Sequence, residues 1–420
     1  MILAVKKYVS RLPEKIWFRA MLFSLGAIAA AAAAEWVGPL IPYEADLEIA
    51  SGSVGDILTI LASSMLAVIA FSVSIMVSAY GSATSTATPR TIALMLADDR
   101  SQNALSTFLG TFLFSIVGII GLSAGYYDDQ GRIILFFATI LVIVLITGTL
   151  INWIQQLSTF GRMNDLIGRV EQATSKALRW HGQHPFLGAQ PPVEIPQQAC
   201  PVSCDIASGV VTSVDMGRLE QAAEKYGVTV HLSIHPGKLV YPARPLLYLS
   251  GEDANGVDPQ PFRDAILVEH DRSFDQDPRF GLVVLSEIAS RALSPAVNDP
   301  GTAISVLVSG LRCFEIFAEA CASPEDARCS RVHGPAIETG DLFTDFFIKI
   351  ARDGAAVVEV QQRIQLCLLA LAQSWPDIFS EDASEASRNA LARALEHIVH
   401  EQDIEDLKAR SQKVVDVEER

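Results

Sequence analysis

The densest group of polar side chains that could do chemistry lies in the stretch Ser294–Thr302. Asn298 and Asp299 offer oxygen atoms there, directly before a helix that we expect to begin at Pro300. A helix N-terminus favours an anion, whereas Asp followed by Pro at the first helical position is typical of a cap. Because a capping Asp299 already occupies the N-terminus, we favour a tight interhelical turn over a ligand site. The turn residues are Ser294, Pro295, Asn298, Asp299 and Pro300.

A second candidate is a short acidic loop. Asp271, Asp275 and Asp277 precede a helix expected from Pro278, and carboxylates of this kind can bind a divalent cation. Their spacing is not that of a calcium-binding loop. We therefore favour a solvated acidic loop that partly caps the following helix.

A third candidate combines thiols and imidazoles. Cys200 and Cys204 lie in a Pro-rich segment downstream of His181 and His184. Their spacing differs from the Cys-x-x-Cys knuckle of structural zinc sites, so free thiols of a reducing compartment are favoured. We predict no metal and no cofactor.

The sequence contains no familiar catalytic signature. We find no phosphate-binding Gly-rich loop, no Gly-x-Ser-x-Gly elbow and no His-Glu-x-x-His pair. No catalytic residue is therefore predicted, and an enzyme with an unrecognised site is the weakest of three functional interpretations.

The composition describes two unlike halves. Half of the 420 residues are hydrophobic, and the net charge is −16. Residues 1–157 hold 8 Lys and Arg against 10 Asp and Glu, so residues 158–420 carry 14 of the net negative charges. An acidic second half argues against a nucleic-acid partner and against a basic membrane-binding patch.

The first half is predicted to contain four transmembrane helices. Apolar runs cover roughly residues 20–41, 57–80, 104–125 and 133–154, and each is close to the ~20 residues that cross a bilayer. Lys and Arg are concentrated before the first run and after the fourth, while the loop after the first run has neither. By the positive-inside rule we expect both termini to face the cytoplasm, in a multi-pass membrane protein surrounded by lipid.

Small and hydroxyl side chains recur every three or four residues on the second and third runs. Such a ridge lets membrane helices approach closely, and it could instead line a water-filled path. We favour packing over the pore. The second run carries Ser63, Ala67, Ala70, Ser74 and Ser78, and the third carries Thr107, Thr111, Ser115 and Gly118.

The second half is predicted to be an α+β cytoplasmic region. We divide the chain into a transmembrane domain (1–157), a helical extension with a Pro-rich linker (158–204), a small β-barrel-like domain (205–270) and a helical domain (271–420). The barrel is expected from short runs in which apolar and polar residues alternate, separated by turns with Pro and Gly. The sequence of these runs is similar to half-motifs of lipoyl-carrier barrels. The lysine signature of those carriers is absent. Single helices are expected over Asp341–Trp375 and Ser384–Val415.

Three segments resemble a known family. They are the run Arg272–Ala303, with its A-L-S-P-A-V-N-D-P core, the T-P-R of Thr88–Arg90 and the L-G-T-F-L of Leu109–Leu113. They resemble the bacterial predicted membrane proteins of domain of unknown function 2254. The resemblance implies a bacterial inner-membrane location and supports four spans followed by a cytoplasmic region. It implies no activity.

Together these features favour a homo-oligomeric channel or transport-like protein with a cytoplasmic gating or sensing domain. The small and hydroxyl ridge motivates this hypothesis. The alternative is a membrane-anchored sensor or scaffold whose cytoplasmic region binds a partner or a small ligand.

Overall fold

The structure of the chain is a computed structural model that describes residues 51–205 and 208–419, with isolated positions between Phe18 and Ala29. The first predicted span lies almost entirely outside the described residues. The chain divides into two compact units. We call them the membrane-helix unit, which holds the described residues up to Ser85 and Ile92–Asp165, and the C-terminal unit, which holds Thr86–Thr91 and Leu166–Arg420.

Among the described residues, the membrane-helix unit contains three helices that are long and apolar enough to cross a membrane. They are α1 (Ser51–Thr86), α3 (Asp99–Ser123) and α4 (Asp129–Leu157). A 3-10 turn (Pro89–Thr91) and the short helix α2 (Ile92–Leu96) separate the first two. Three of the four predicted spans are thus present as helices of sufficient length.

Small residues and a few polar contacts join these helices. A Cβ added at Gly118 of α3 would press on Leu58 of α1, so glycine permits this close approach. The indole nitrogen of Trp153 in α4 donates to the hydroxyl of Ser72 in α1 at 2.9 Å. At the start of α3, the Asp98 carboxylate caps the helix and accepts a hydrogen bond from the side-chain amide of Gln156 at 2.6 Å.

The C-terminal unit begins with the amphipathic helix α5 (Met163–Gln183) and a 3-10 turn (Pro185–Gly188). The α/β region follows: β1 (Cys200–Ser203), β2 (Gly209–Val214), α6 (Met216–Tyr226), β3 (Thr229–Leu232), β4 (Leu239–Val240), β5 (Pro245–Ser250), α7 (Gln260–Arg263) and β6 (Ile266–Glu269). Asp215 caps the start of α6, and Gly227, in the left-handed conformation, ends it.

The predicted β-barrel is wrong. The strands form two open sheets, one ordered β1-β5-β3 with a further strand β7 (Val332–His333), the other ordered β4-β2-β6. Helix α6 connects β2 to β3, and its buried Leu219 and Ala223 belong to the core of this region. That crossover places consecutive strands in different sheets, and among the described residues the sheets do not close on each other.

The later helices of the C-terminal unit include three that meet at aromatic residues. The later helices are α8 (Pro278–Ala292), α9 (Pro300–Cys321), α10 (Thr339–Asp353), α11 (Val358–Ser374), α12 (Pro376–Leu395) and α13 (Glu401–Glu418). The buried ring of Phe314 in α9 contacts Phe343 and Phe347 of α10 and Phe379 of α12, with centroids 4.8–5.8 Å apart. Gly310 lies against the Phe346 ring, where a Cβ would overlap it.

Two long helices that the sequence predicted are each divided. Asp341–Trp375 becomes α10 and α11, which are separated where Gly354 ends α10. Ser384–Val415 becomes parts of α12 and α13, with a break between Leu395 and Glu401. At the second break, His397 and Ile398 both donate their amides to the carbonyl of Ala394, which closes a tight turn. Amphipathic periodicity continues across such turns, so it does not reveal them.

Candidate functional site

A row of polar contacts joins helices α8 and α10, which run side by side in the same direction. Arg279, near the start of α8, donates to Asp345 at 2.6 Å and also pairs with Asp341. Near the end of both helices, the hydroxyl of Ser290 donates to Asp353. We call this row of contacts the α8–α10 ladder.

The charges of the ladder stabilise one another. Burial alone would lower the pKa of Arg279. The hydrogen bond to Asp345 and the negative charges of Asp345 and Asp341 outweigh burial, so the pKa of Arg279 is raised above its ordinary value. Burial likewise opposes ionisation of Asp353, but hydrogen bonds from Arg352 and Ser290 lower the pKa of its carboxyl. Both groups are therefore charged at neutral pH, and they fix the register of the two helices.

The segment of the chain that connects two of the membrane helices contacts α8 near the middle of the ladder. Glu287 of α8 accepts from the Arg90 guanidinium at 2.7 Å and from the Thr88 hydroxyl at 3.3 Å. Lys349 of α10 approaches the other oxygen of Glu287 at 3.9 Å. The segment Thr86–Thr91, which we call the elbow, therefore belongs to the C-terminal unit by its contacts.

The elbow is ordered by its own sequence. Pro89 begins a 3-10 turn, and the hydroxyl of Thr91 donates to the carbonyl of Thr88 at 2.7 Å. Thr88 and Thr91 are both buried, whereas Arg90 is half exposed. A pair this exposed contributes only about 0–1 kcal/mol to stability. The Arg90–Glu287 pair matters because of its position in the chain: α1 ends at Thr86 and α2 begins at Ile92, so the paired segment directly connects these two helices.

The turn Ser294–Thr302 adopts the structure of a capped turn. The Asp299 carboxylate accepts from the backbone N–H and the hydroxyl of Thr302, at 3.0 and 2.6 Å. These hydrogen bonds lower the pKa of Asp299. Asn298 has φ +50°, in the left-handed region that asparagine tolerates. Pro295, Asn298 and Asp299 are exposed, while Ser294 and Pro300 are partly buried.

The two predicted ridges have different surroundings. On α3 the ridge is buried: Thr107, Thr111, Ser115 and Gly118. On α1 the ridge is exposed and lies opposite the buried residues Leu58, Met65 and Met76 of the same helix. The exposed residues are Ser63, Ala67, Ala70, Ser74 and Ser78. The structure thus separates the ridges and does not assemble them into one site.

The candidate metal ligands are dispersed or engaged elsewhere. Asp277 caps α8 and takes a bidentate hydrogen bond from Arg272 at 2.7 and 2.9 Å. His184 stacks on Trp180, with centroids 4.7 Å apart, and Cys200 donates to the side-chain oxygen of Asn255. Among the described residues no group of three or more His, Cys, Asp or Glu is arranged to hold a metal ion.

Comparison with known families identifies the class of protein. The family described as "Predicted membrane protein (DUF2254)" matches residues 13–370, which include the elbow and the ladder residues Arg279, Glu287 and Lys349. The chain belongs to this family. The resemblance inferred from the Arg272–Ala303 run is confirmed, and the DUF2254 description agrees with the three apolar helices.

Relatives of this DUF2254 protein occur in mycobacteria. The uncharacterized protein Rv1290c of Mycobacterium tuberculosis and Mb1321c of Mycobacterium bovis are each 28% identical over 306 residues. The match covers 67% of this chain and 56% of each relative, so the chain spans little more than half of their length. No solved structure matches the chain.

Sequence reasoning missed the main polar contact of this DUF2254 protein. The i,i+4 spacing along α8 favours Arg291 as the partner of Glu287, but the Glu287 carboxylate accepts a hydrogen bond from Arg90, which is 197 positions away. The available signal was that both residues lie inside the motifs that identify the family, T-P-R and Arg272–Ala303. Spacing along one helix carries no information about a partner so distant.

Proposed function

We propose that this DUF2254 protein is an integral membrane protein whose C-terminal unit controls its membrane helices through the elbow. The observation that carries the proposal is the hydrogen-bonded ion pair between Arg90 and Glu287. A movement of α8 displaces Glu287, and the elbow that it binds is continuous with α1 and α2. Gating and sensing both need such a mechanical link.

The first form of this function is a homo-oligomeric channel or transport-like protein with a cytoplasmic gate. The exposed ridge of α1, Ser63 to Ser78, supports it. In lipid the hydrophobic effect does not drive helices together, so their association depends on close packing. The small residues of this face would let a second copy of the chain approach closely. The same face around a central axis would provide hydroxyl groups to a water-filled path.

The second form is a membrane-anchored sensor or scaffold. The buried ridge of α3 supports it, because Thr107, Thr111, Ser115 and Gly118 are enclosed within one chain. In this form the spans only pack, and the C-terminal unit binds a partner or a small ligand. The two forms share the elbow and differ in what the exposed face of α1 meets.

The proposed orientation follows from the positive-inside rule. Arg90 and Arg100 between the second and third spans, and Arg162 and Arg169 after the fourth, favour a cytoplasmic position for the elbow and the C-terminal unit. The membrane would be a bacterial inner membrane, with both termini cytoplasmic. Reporter fusions at the two termini and in the loop around Asp128 test this orientation.

Ion flux from liposomes separates the two forms. The full-length protein is reconstituted as wild type, as Ser74→Leu on the ridge, and as Val73→Leu, a matched control at an exposed position outside the ridge. The channel form predicts flux that Ser74→Leu reduces and Val73→Leu preserves. No flux in any of the three, with the chain correctly inserted, rejects the channel form and leaves the sensor form.

A further inference from the structure

A cavity of about 270 Å³ lies within the C-terminal unit. It is lined by the end of α5, the 3-10 turn after it, the loop after β3, the end of α9, the segment that leads into α10 and the start of α12. Its volume is close to the lower end of the range of about 300–1,000 Å³ that small-molecule sites occupy. The wall is mostly apolar and includes Phe186, Leu187, Phe317, Ile337 and Ile378.

Two histidines are the main polar groups of this wall. Nε2 of His181 lies 2.9 Å from the carbonyl oxygen of Gln276, and Nδ1 of His235 lies 2.8 Å from that of Pro236. A carbonyl only accepts, so those nitrogens carry the hydrogen atoms. The other nitrogen of each neutral ring, Nδ1 of His181 and Nε2 of His235, is then an acceptor.

Both rings are uncharged at neutral pH. Burial lowers the pKa of His181 to about 4, and burial also lowers the pKa of His235. Within the described part of the chain, the residues that line the cavity include no Asp, Glu, Lys or Arg. The cavity therefore disfavours a charged ligand, and it suits a compact apolar molecule that donates a hydrogen bond.

The backbone beside the cavity is held in an unusual conformation. Phe186 and Leu187 have φ of 57° and 64°, in the left-handed region that non-glycine residues rarely occupy. Neighbouring chain keeps them there: the carbonyl of Gly188 accepts from the amide of Arg328, and Gly334 lies so close to the Phe186 carbonyl that a Cβ would overlap it. Strain maintained in this way is typical of binding sites.

We propose that this cavity binds a small uncharged ligand, an apolar alcohol or phenol, whose hydroxyl donates to His181 or His235. The binding does not depend on the proposed function. If the C-terminal unit does control the membrane helices, the site is suited to be its input, and this extension rests on the proposed function. Thr339 lines the cavity and is the first residue of α10, the helix that carries the Asp341, Asp345 and Lys349 side of the ladder.

The test compares 4-fluorophenol with fluorobenzene, which has the same ring without the hydroxyl, by fluorine NMR on the full-length protein in nanodiscs. We expect saturable binding of 4-fluorophenol. The affinity for fluorobenzene should be lower by a factor of up to about 10, which is the usual effect of one lost hydrogen bond. Equal affinity for the two probes overturns the role of the histidines. Absence of saturable binding of 4-fluorophenol overturns the proposed site.

Three variants locate the binding. Ala336 lines the cavity and is exposed, so Ala336→Phe fills the cavity mouth without disturbing the core and should abolish binding. His235→Leu removes an acceptor and should weaken binding of 4-fluorophenol but not of fluorobenzene. The exposed His400→Leu is the matched control and should bind as wild type does. Unchanged binding in Ala336→Phe would place the probe elsewhere and reject the proposal.

Discussion

Arg90 and Glu287 lie 197 positions apart in the chain, yet the guanidinium Nη1 and the carboxylate Oε2 are 2.7 Å apart. This pair joins the elbow to α8, and Lys349 extends the contact to α10. The short loop between two membrane helices is thereby part of the C-terminal unit. The proposed control of the membrane helices rests on this relationship.

The two helix caps followed by proline should differ in importance. Asp277 is 1% exposed and receives two backbone amides and Arg272, so Asp277→Ala removes a cap and leaves a guanidinium unpaired. We expect a loss of about 3 kcal/mol in unfolding free energy. The exposed cap Asp299→Ala should cost about 1 kcal/mol. Denaturant unfolding measures both, and equal losses would contradict the structure.

Two glycine-to-alanine substitutions should change the stability of the protein in opposite directions. In Gly310→Ala the new Cβ overlaps the Phe346 ring, and we expect a destabilisation of about 1–3 kcal/mol. Gly168 lies in α5 with open space around its Cβ position. Gly168→Ala should raise stability by about 0.5–1 kcal/mol, because alanine favours the helix. Thermal melts of the two variants check the prediction. A Gly310→Ala protein as stable as wild type would refute the close contact.

The buried His181 should make stability depend on pH. Its pKa is lowered from 6.5 to about 4 by burial, with smaller effects from the nearby His235 and His184, so the unfolded chain binds a proton that the folded chain rejects between these values. Its contribution is complete above pH 6.5 and is lost as the pH falls towards 4. The expected loss is about 3 kcal/mol.

The variant His181→Phe isolates this contribution. Stability of the wild type should fall more steeply than that of His181→Phe between pH 6.5 and 4, as measured by melting temperature. The exposed His400→Phe serves as the control and should follow the wild type. Parallel curves for wild type and His181→Phe would show that His181 does not contribute.

The thiols should differ in reactivity. Burial raises the pKa of Cys313 and of Cys367 to about 12, so almost no thiolate exists at pH 7.5. Cys200 is only partly buried, at the start of β1. Brief labelling with a maleimide, read by peptide mass spectrometry, should modify Cys200 first. Equal modification of Cys367 in the folded protein would contradict its burial.

The sequence predicted the features that local chemistry determines. The start of α9 at Pro300 follows from the Asp299 cap and the proline after it. The two open sheets could not be predicted in this way, because β7 joins β3 from a position about a hundred residues later. The elbow and the histidine cavity depend on equally distant contacts, which periodicity does not encode.

Hydrogen–deuterium exchange of the full-length protein in nanodiscs tests the central claim most directly. The proteins compared are wild type, Arg90→Glu, Glu287→Arg and the double variant that restores the pair with its charges reversed. Each single reversal should speed exchange in Thr86–Thr91 and in the adjoining ends of α1 and α2, and the double variant should recover most of the protection. Exchange that is unchanged in both single variants would contradict the control of the membrane helices by the C-terminal unit.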